Sequence, residues 1–187
     1  MILGFSTKIN NKPTFFVEKI LKSLLDLSEN TNNLILKSHV GNCIYNSGEH
    51  LKYAYADDIL NKVDNSIPKL HSFRNDKNNR WKVGMIIDFY INVRTKSMFQ
   101  FAPKLAVKSI QKISILWSGG DINTCTIWID ENCYVANYSV DYNQSEQRQK
   151  KMELLSQNDG FDSVQDFLDY FSENFYGKII HWTDLIY

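Results

Sequence analysis

Hydrophobic and polar positions follow two different periods along the chain, and together they predict a mixed α+β protein. Over residues 14–27, apolar side chains recur every three or four positions, which predicts an amphipathic helix near the start. A similar stripe over residues 164–175 predicts a C-terminal helix that Gly177 ends. Asp162 followed by Gln165 fits a capping box at the beginning of that helix.

Alternation with a period of two predicts a series of short strands between these helices. The predicted strands cover residues 1–5, 70–74, 85–93, 97–101, 105–117, 124–129, 133–140 and 178–187. Turns are predicted at residues 83–84 and 118–121, and residues 130–132 join two strands into a hairpin. Many short strands in series favour a small barrel over a doubly wound sheet.

Two stretches follow neither period well. Residues 34–36 suggest a short strand, and Gly41 and Gly48 interrupt any helical pattern that follows. Residues 53–63 predict a short helix. The polar stretch 141–157 predicts a loop followed by a short helix.

Composition narrows the class of protein. The chain has 187 residues, of which 43% are hydrophobic and 13% aromatic, which is typical of one globular domain with its own core. No apolar run approaches the roughly 18–20 residues that cross a bilayer, and the start does not resemble a signal peptide, so no membrane association is expected. Three cysteines without C-x-x-C spacing predict reduced thiols in a cytoplasmic protein, and the scattered histidines predict no metal site.

Charge is distributed unevenly although the formal net charge is zero. Residues 62–112 contain eleven Lys and Arg against three acidic residues, whereas residues 121–173 contain eleven acidic residues against three basic ones. This pattern is equally typical of two solvated surfaces and of a basic face that contacts phosphate groups.

The stretch from residue 68 to residue 90 carries the most distinctive chemistry. Its basic side chains are interrupted by His71, Phe73 and Trp81, whose rings can stack on a nucleobase. The sequence KLHSFR at residues 69–74, followed by WKVGMIIDF at residues 81–89, resembles the ASCH domain family. The sequence DGFDS at residues 159–163 and the closing strand are similar to the end of that family.

The resemblance implies a small PUA-like mixed β-barrel flanked by an N-terminal and a C-terminal helix. It places all 187 residues in one domain, with insertions near residues 28–60 and 115–150. Family members are thought to act on RNA or on nucleosides, so an RNA or nucleoside ligand is expected and no organic cofactor or metal is implied.

One branch of the family hydrolyses the amide of N4-acetylcytidine with a Lys, a Thr and a Glu. Carried over to this chain, the resemblance assigns catalytic roles to Lys69, Ser72 and Asp159. This chain has Ser in place of the family's Thr and Asp in place of its Glu. Binding is still expected, but catalysis is in doubt, because an offset of about 1 Å can cost on the order of 100-fold in rate. The expected ligand-binding residues are His71, Arg74, Arg80 and Trp81.

Each of these residues also has a structural interpretation. Lys69 is then a surface lysine at the start of a strand, and Trp81 is a tryptophan of the barrel core. Arg74 then forms an ion pair with Asp76 or Asp88. At the level of function, the alternative is a non-catalytic protein-interaction module that binds a protein partner through the two inserted segments.

Overall fold

The computed structural model describes residues 1–118, 124–137 and 142–187, and within them it contains five α-helices and eleven β-strands. The α+β class predicted from the sequence is therefore confirmed. The chain divides into two compact units, which are described separately below. The first unit comprises Met1–Leu70 and Gly84–Ala106, and the second comprises His71–Val83 and Val107–Tyr187.

The elements of the first unit lie on both sides of a stretch that belongs to the second. In chain order, the elements of the protein are β1 (Ile2–Phe5), β2 (Lys8–Ile9), β3 (Lys12–Pro13), α1 (Phe16–Asn30), α2 (Leu34–His50), α3 (Ala56–Asp64), β4 (His71–Arg74), β5 (Ile86–Ile91), β6 (Phe99–Gln100), β7 (Leu105–Ala106), β8 (Ser109–Trp117), β9 (Cys125–Ile129), β10 (Asn132–Val135), α4 (Tyr142–Asn158), α5 (Val164–Tyr170) and β11 (Phe175–His181).

A small mixed sheet organises the first unit. Strands β1 and β5 pair in parallel, with Leu3 opposite Phe89, and β5 also pairs with β6 and β7 in antiparallel orientation. The buried rings of Phe5, Phe89 and Phe101 pack together, with centroids 5.8–6.1 Å apart. The apolar stripe of α1 is buried, as its period predicts.

Helix α2 corrects the expectation of a short strand at residues 34–36. The helix begins after Asn33, whose side chain accepts a hydrogen bond from the amide of Leu36 at 2.9 Å. It then continues through both Gly41 and Gly48. A Cβ atom at Gly48 would lie 2.8 Å from the side chain of Ile59, so this glycine permits close packing of α2 against α3 and does not interrupt the helix.

A five-stranded antiparallel sheet organises the second unit, in the order β10-β9-β8-β11-β4. The predicted hairpin is confirmed as β9 and β10. Among the residues that the structure describes, β10 and β4 remain the two edges of this sheet, so the expected closed barrel is not present. The reason is that β1 and β5, which a single barrel would include, pair with each other in a separate sheet.

The C-terminal helix is shorter than its apolar stripe predicts. Helix α5 covers seven residues and is capped by Ser163, whose hydroxyl accepts from the amide of Asp166 at 3.0 Å, so the capping box at Asp162 is wrong. Gly177 lies inside β11 and does not end a helix. A Cβ atom there would lie 2.6 Å from the carbonyl oxygen of Arg74, so the glycine permits close approach of β11 to β4.

The polar stretch before this helix also differs from the prediction. Instead of a loop and a short helix, it forms α4, which is 17 residues long. Residues 119–121 of the predicted turn and residues 138–140 of the predicted strand lie outside the described residues. None of the helices in the described ranges is long and apolar enough to cross a membrane.

Candidate functional site

The C-terminal end of α4 places Asp159. The amide of Gly160 donates to the carbonyl of Gln157 at 2.8 Å, and the amide of Phe161 donates to the carbonyl of Ser156 at 2.9 Å. Gly160 has a φ of 87°, so these bonds form a Schellman motif, which a glycine favours. The sequence Asp-Gly-Phe thus marks the end of one helix, not the start of the next, and it fixes the backbone of Asp159.

The carboxylate of Asp159 lies against the edge of β4. Its Oδ1 atom accepts a hydrogen bond from the amide of Phe73 at 3.3 Å and lies 3.5 Å from Nδ1 of His71. Both the aspartate and the histidine are buried. The fold therefore brings together two of the predicted site residues that lie 88 positions apart in the sequence.

Arg74, at the end of β4, is also influenced by this carboxylate. Burial lowers the pKa of its guanidinium, and the negative charge of Asp159 opposes that effect. The two carboxylates expected to pair with Arg74 have other cationic neighbours. Asp76 lies 3.1 Å from the ammonium of Lys178, and Asp88 lies 3.2 Å from the ammonium of Lys104.

Ser72 lies on the opposite face of β4 from His71. In the register with β11, Ser72 is opposite Ile180 and His71 is opposite His181. Since side chains alternate along a strand, Ser72 and Arg74 share one face of the sheet, whereas His71 and Phe73 share the other. The Ser72 hydroxyl and the His71 imidazole therefore lie on different sides of the sheet.

Lys69 belongs to the first unit and is not a surface lysine. Its side chain is only 1% exposed, and its ammonium lies 4.8 Å from the centroid of the Phe16 ring. Its amide donates to the carbonyl of Lys19 at 3.0 Å. This burial shows that the interpretation of Lys69 as an ordinary exposed residue is wrong. Fully buried lysines are rare in proteins.

The loop that follows β4 is held in place by Asp76. Its carboxylate accepts hydrogen bonds from the amides of Arg80 at 2.9 Å and Trp81 at 3.0 Å, in addition to its contact with Lys178. Lys178 also donates to the side chain of Asn79. The loop is therefore ordered by one carboxylate and one ammonium.

The two ligand-binding residues predicted in this loop differ in accessibility. Arg80 is exposed. The side chain of Trp81 is only 5% exposed, which leaves little ring surface for a base to stack on and fits its interpretation as a core tryptophan.

Sequence reasoning missed Tyr187 and Asn158. The hydroxyl of Tyr187 lies 2.7 Å from Nε2 of His71, and Nδ2 of Asn158 donates to the same hydroxyl at 2.9 Å. Gln111 holds the backbone of Tyr187 through two bonds of 3.0 and 3.1 Å. A sequence signal existed only for Asn158, because it directly precedes the Asp-Gly end of α4.

His181 lies beside His71, with ring centroids 5.3 Å apart. Burial lowers the pKa of His181 to about 3, the electrostatic interaction with His71 adds to this effect, and Asp130 opposes it. His181 is therefore neutral at physiological pH. His181 is completely buried.

No three His, Cys, Asp or Glu side chains of the described ranges gather in positions that could hold a metal ion. The three cysteines are not joined in disulfides. No protein-family model matches the chain, and comparison with curated proteins and with solved structures finds no similar protein.

Proposed function

We propose that the protein binds RNA or a modified nucleoside at a site formed by β4 and the Asp159 turn. The contact of the Asp159 carboxylate with the edge of β4 carries this proposal. The negative charge of the same acceptor-only carboxylate acts on the donor-only guanidinium of Arg74. A pyrimidine base offers both donors and acceptors along its pairing edge. Burial strengthens such contacts, because water competes less for the polar atoms.

The loop after β4 supports contacts with phosphate groups. Three basic side chains, Lys77, Arg80 and Lys82, are exposed there. Asp76 and Lys178 fix the backbone of this loop, so these cations project from an ordered segment. Ordered basic side chains next to a base-binding group are what single-stranded RNA recognition requires.

Calorimetric titration of the purified protein with cytidine, N4-acetylcytidine and short single-stranded RNA tests the proposal. Asp159→Asn should weaken nucleoside binding at least tenfold, because a hydrogen bond to a charged group contributes about 1.5–3 kcal/mol. Asp169→Asn is the matched control, because Asp169 is exposed on α5. If the wild-type protein binds none of these ligands, or if both variants bind equally, the proposal fails.

The salt dependence of RNA binding tests the loop separately. Affinity should fall as salt increases, and replacing Lys77, Arg80 and Lys82 by alanine should make this slope shallower. The slope of the logarithm of the binding constant against the logarithm of the salt concentration should change by about 0.7 for each phosphate of a single strand that the variant no longer neutralises. An unchanged slope in the triple variant would remove the loop from the proposed site.

A finer proposal follows from the resemblance to the ASCH family and concerns hydrolysis of an acylated cytosine. Water adds to the amide carbonyl, the C–N bond breaks, acetate leaves and the proton passes to the amino nitrogen of cytidine. Asp159 would take the proton of the attacking water and pass it to the amino nitrogen, Ser72 would assist it and Arg74 would orient the ligand.

The release of acetate from N4-acetylcytidine measures this activity. Asp159→Asn should abolish acetate release while the protein stays folded, whereas Asp169→Asn should release acetate like the wild-type protein. Binding without acetate release in the wild-type protein would support a recognition domain over a hydrolase.

A second candidate function, a protein-interaction module, is favoured by the exposed apolar side chains of α2. Leu34 is 78% and Ile35 is 73% exposed, and both lie in the segment predicted as an insertion. Sedimentation velocity provides the test. Association that Leu34→Glu abolishes, in a protein that binds no nucleoside or RNA, would favour the interaction module.

A further inference from the structure

Four polar side chains of the second unit form a continuous series that ends on Asp159. Asn158 contacts Tyr187 at 2.9 Å, Tyr187 contacts Nε2 of His71 at 2.7 Å, and Nδ1 of His71 lies 3.5 Å from the carboxylate of Asp159. The members come from the end of α4, from β4 and from residue 187, so the series depends on tertiary structure.

The donors in this series all point the same way. The Nδ2 group of Asn158 has only protons to donate, so the oxygen of Tyr187 accepts from it. Burial raises the pKa of the Tyr187 phenol, the charges of Tyr134 and Asp159 add to this effect, and the bond from Asn158 opposes it. The phenol therefore keeps its proton and donates it to Nε2 of His71.

This assignment fixes the tautomer of His71. Because Nε2 accepts the phenol proton, the neutral imidazole carries its own proton on Nδ1, which is the nitrogen that faces Asp159. If His71 were doubly protonated, Nε2 would donate to the phenol oxygen, which would then receive two donors.

Aromatic and titratable side chains surround the His71 ring. One face of the ring stacks on Phe73 at 5.1 Å, and His181, which is neutral at physiological pH, meets it edge to face. Asp159, His181 and Tyr187 are titratable groups that contact the ring.

We propose that Asn158 and Tyr187 form a directed chain of hydrogen-bond donors that fixes the His71 imidazole, and that the electrostatic contact of its Nδ1 with the Asp159 carboxylate at 3.5 Å orients that carboxylate for its ligand. Tyr187 and Asn158 are then positioning residues of the site, acting through His71. This inference rests on the proposed function for its biological role, whereas the chain itself can be tested without any ligand.

Nitrogen NMR of the protein labelled with ¹⁵N-histidine at neutral pH tests the chain. The wild-type protein should show His71 with a protonated Nδ1 and an unprotonated, hydrogen-bonded Nε2. Tyr187→Phe removes the donor and should shift the Nε2 resonance and add the Nε2-protonated tautomer. A wild-type His71 protonated on Nε2, or an unchanged spectrum in Tyr187→Phe, would overturn the inference.

Tyr134→Phe is the matched control. Its ring packs edge to face against Tyr187 at 5.2 Å, so the variant removes a neighbouring phenol while leaving the chain of donors intact. Its His71 resonances should match those of the wild-type protein. Backbone amide spectra of both variants establish that they are folded, and a comparable His71 change in Tyr134→Phe would attribute the effect to packing and overturn the inference.

Calorimetric titration with the nucleoside that the wild-type protein binds tests the role of the chain. Tyr187→Phe should weaken affinity about threefold to tenfold, as expected for the loss of one buried hydrogen bond, whereas Tyr134→Phe should leave it unchanged. Wild-type binding with no loss in Tyr187→Phe would overturn this inference alone. A wild-type protein that binds no nucleoside would overturn the proposed function, whichever tautomer the spectra show.

Discussion

The two units differ in the hydrogen bonds of their polar side chains, although Ser156 of the second unit also bonds locally, to the carbonyl of Glu153 at 3.0 Å. In the first unit, Ser23 and Ser28 donate to carbonyl groups three residues earlier in α1, at 2.8 and 2.7 Å. In the second unit, His71 bonds to Tyr187, which is 116 residues away, and Asn158 bonds to the same hydroxyl. Local bonds of the first kind serve one helix, whereas long-range bonds of the second kind hold side chains from separate elements in one geometry.

Long-range bonds of the first unit show the limit of this difference, since the hydroxyl of the buried Ser47 donates to the carbonyl of Phe101 at 3.4 Å. The hydroxyl of Tyr53 donates to the carboxylate of Glu18 at 2.6 Å, and burial, reinforced by this bond, raises the pKa of the phenol. This bond joins α1 to the segment after α2. The bonds of Tyr53 and Ser47 are separate pairs, whereas the bonds of the second unit form a series, and for that reason we place the candidate site in the second unit.

Truncation of the apolar core should give the largest effect. Phe89 is fully buried and packs against Phe5 and Phe101. Phe89→Ala should lower the free energy of unfolding by about 3–5 kcal/mol, because it leaves a cavity. Urea denaturation measures the change. Ile86→Ala is the control, because Ile86 is exposed in the same strand, and an equal loss in both variants would contradict the assignment of the core.

Acid should destabilise the protein through His181. Its pKa is about 3 when folded, against 6.5 for an ordinary histidine, so the unfolded chain binds a proton first as the pH falls. The stabilisation is complete above the unfolded pKa and is lost as the pH falls towards the folded one, by roughly 3 kcal/mol between pH 7 and about pH 4.

Urea denaturation across this pH range measures the effect of His181. His181→Phe should remove this part of the acid sensitivity, whereas His39→Gln should leave it, because His39 is exposed on α2. Parallel acid profiles of wild type and His181→Phe would show that the imidazole is not buried in its neutral form.

Loss of the Asp76 carboxylate should have a smaller effect, confined to one loop. Burial by itself would raise the pKa of Asp76, but the amides of Trp81 and Arg80, together with Lys178, lower it overall. Asp76→Asn should reduce the free energy of unfolding by about 1–3 kcal/mol. Hydrogen exchange should show faster exchange at the Arg80 and Trp81 amides, and unchanged protection there would be the contrary result.

Removal of a local hydroxyl in the first unit should have the smallest effect. Ser23→Ala deletes a bond within α1 but introduces the best helix former, so the free energy of unfolding should change by less than about 1 kcal/mol. Asn158→Ala in the second unit is the comparison and should cost more, about 1–3 kcal/mol, because it leaves a buried hydroxyl without its donor. Equal costs in urea denaturation would abolish the distinction between the two units.

Much of the secondary structure could be predicted from the sequence. The amphipathic helix α1, the strands β4 and β5, and the hairpin of β9 and β10 all match their periods. The errors around α2 and β11 share one cause, which is a glycine interpreted as an interruption. Gly48 has no side chain, and Ile59 packs closely against it. Gly177 likewise lies close to the carbonyl of Arg74. Such contacts exist only in the folded protein, so the sequence does not reveal them.

The sequence by itself determined which residues carry the candidate chemistry, because the motif at residues 69–74 and the Asp-Gly turn are local signals. The tertiary structure decided which of them meet. It brought Asp159 to His71, turned Ser72 to the other face of β4, and added Tyr187. The physical reason is that long-range hydrogen bonds, and the face on which a strand places each side chain, depend on which elements pair. The short-range periodicity of the sequence does not determine that pairing.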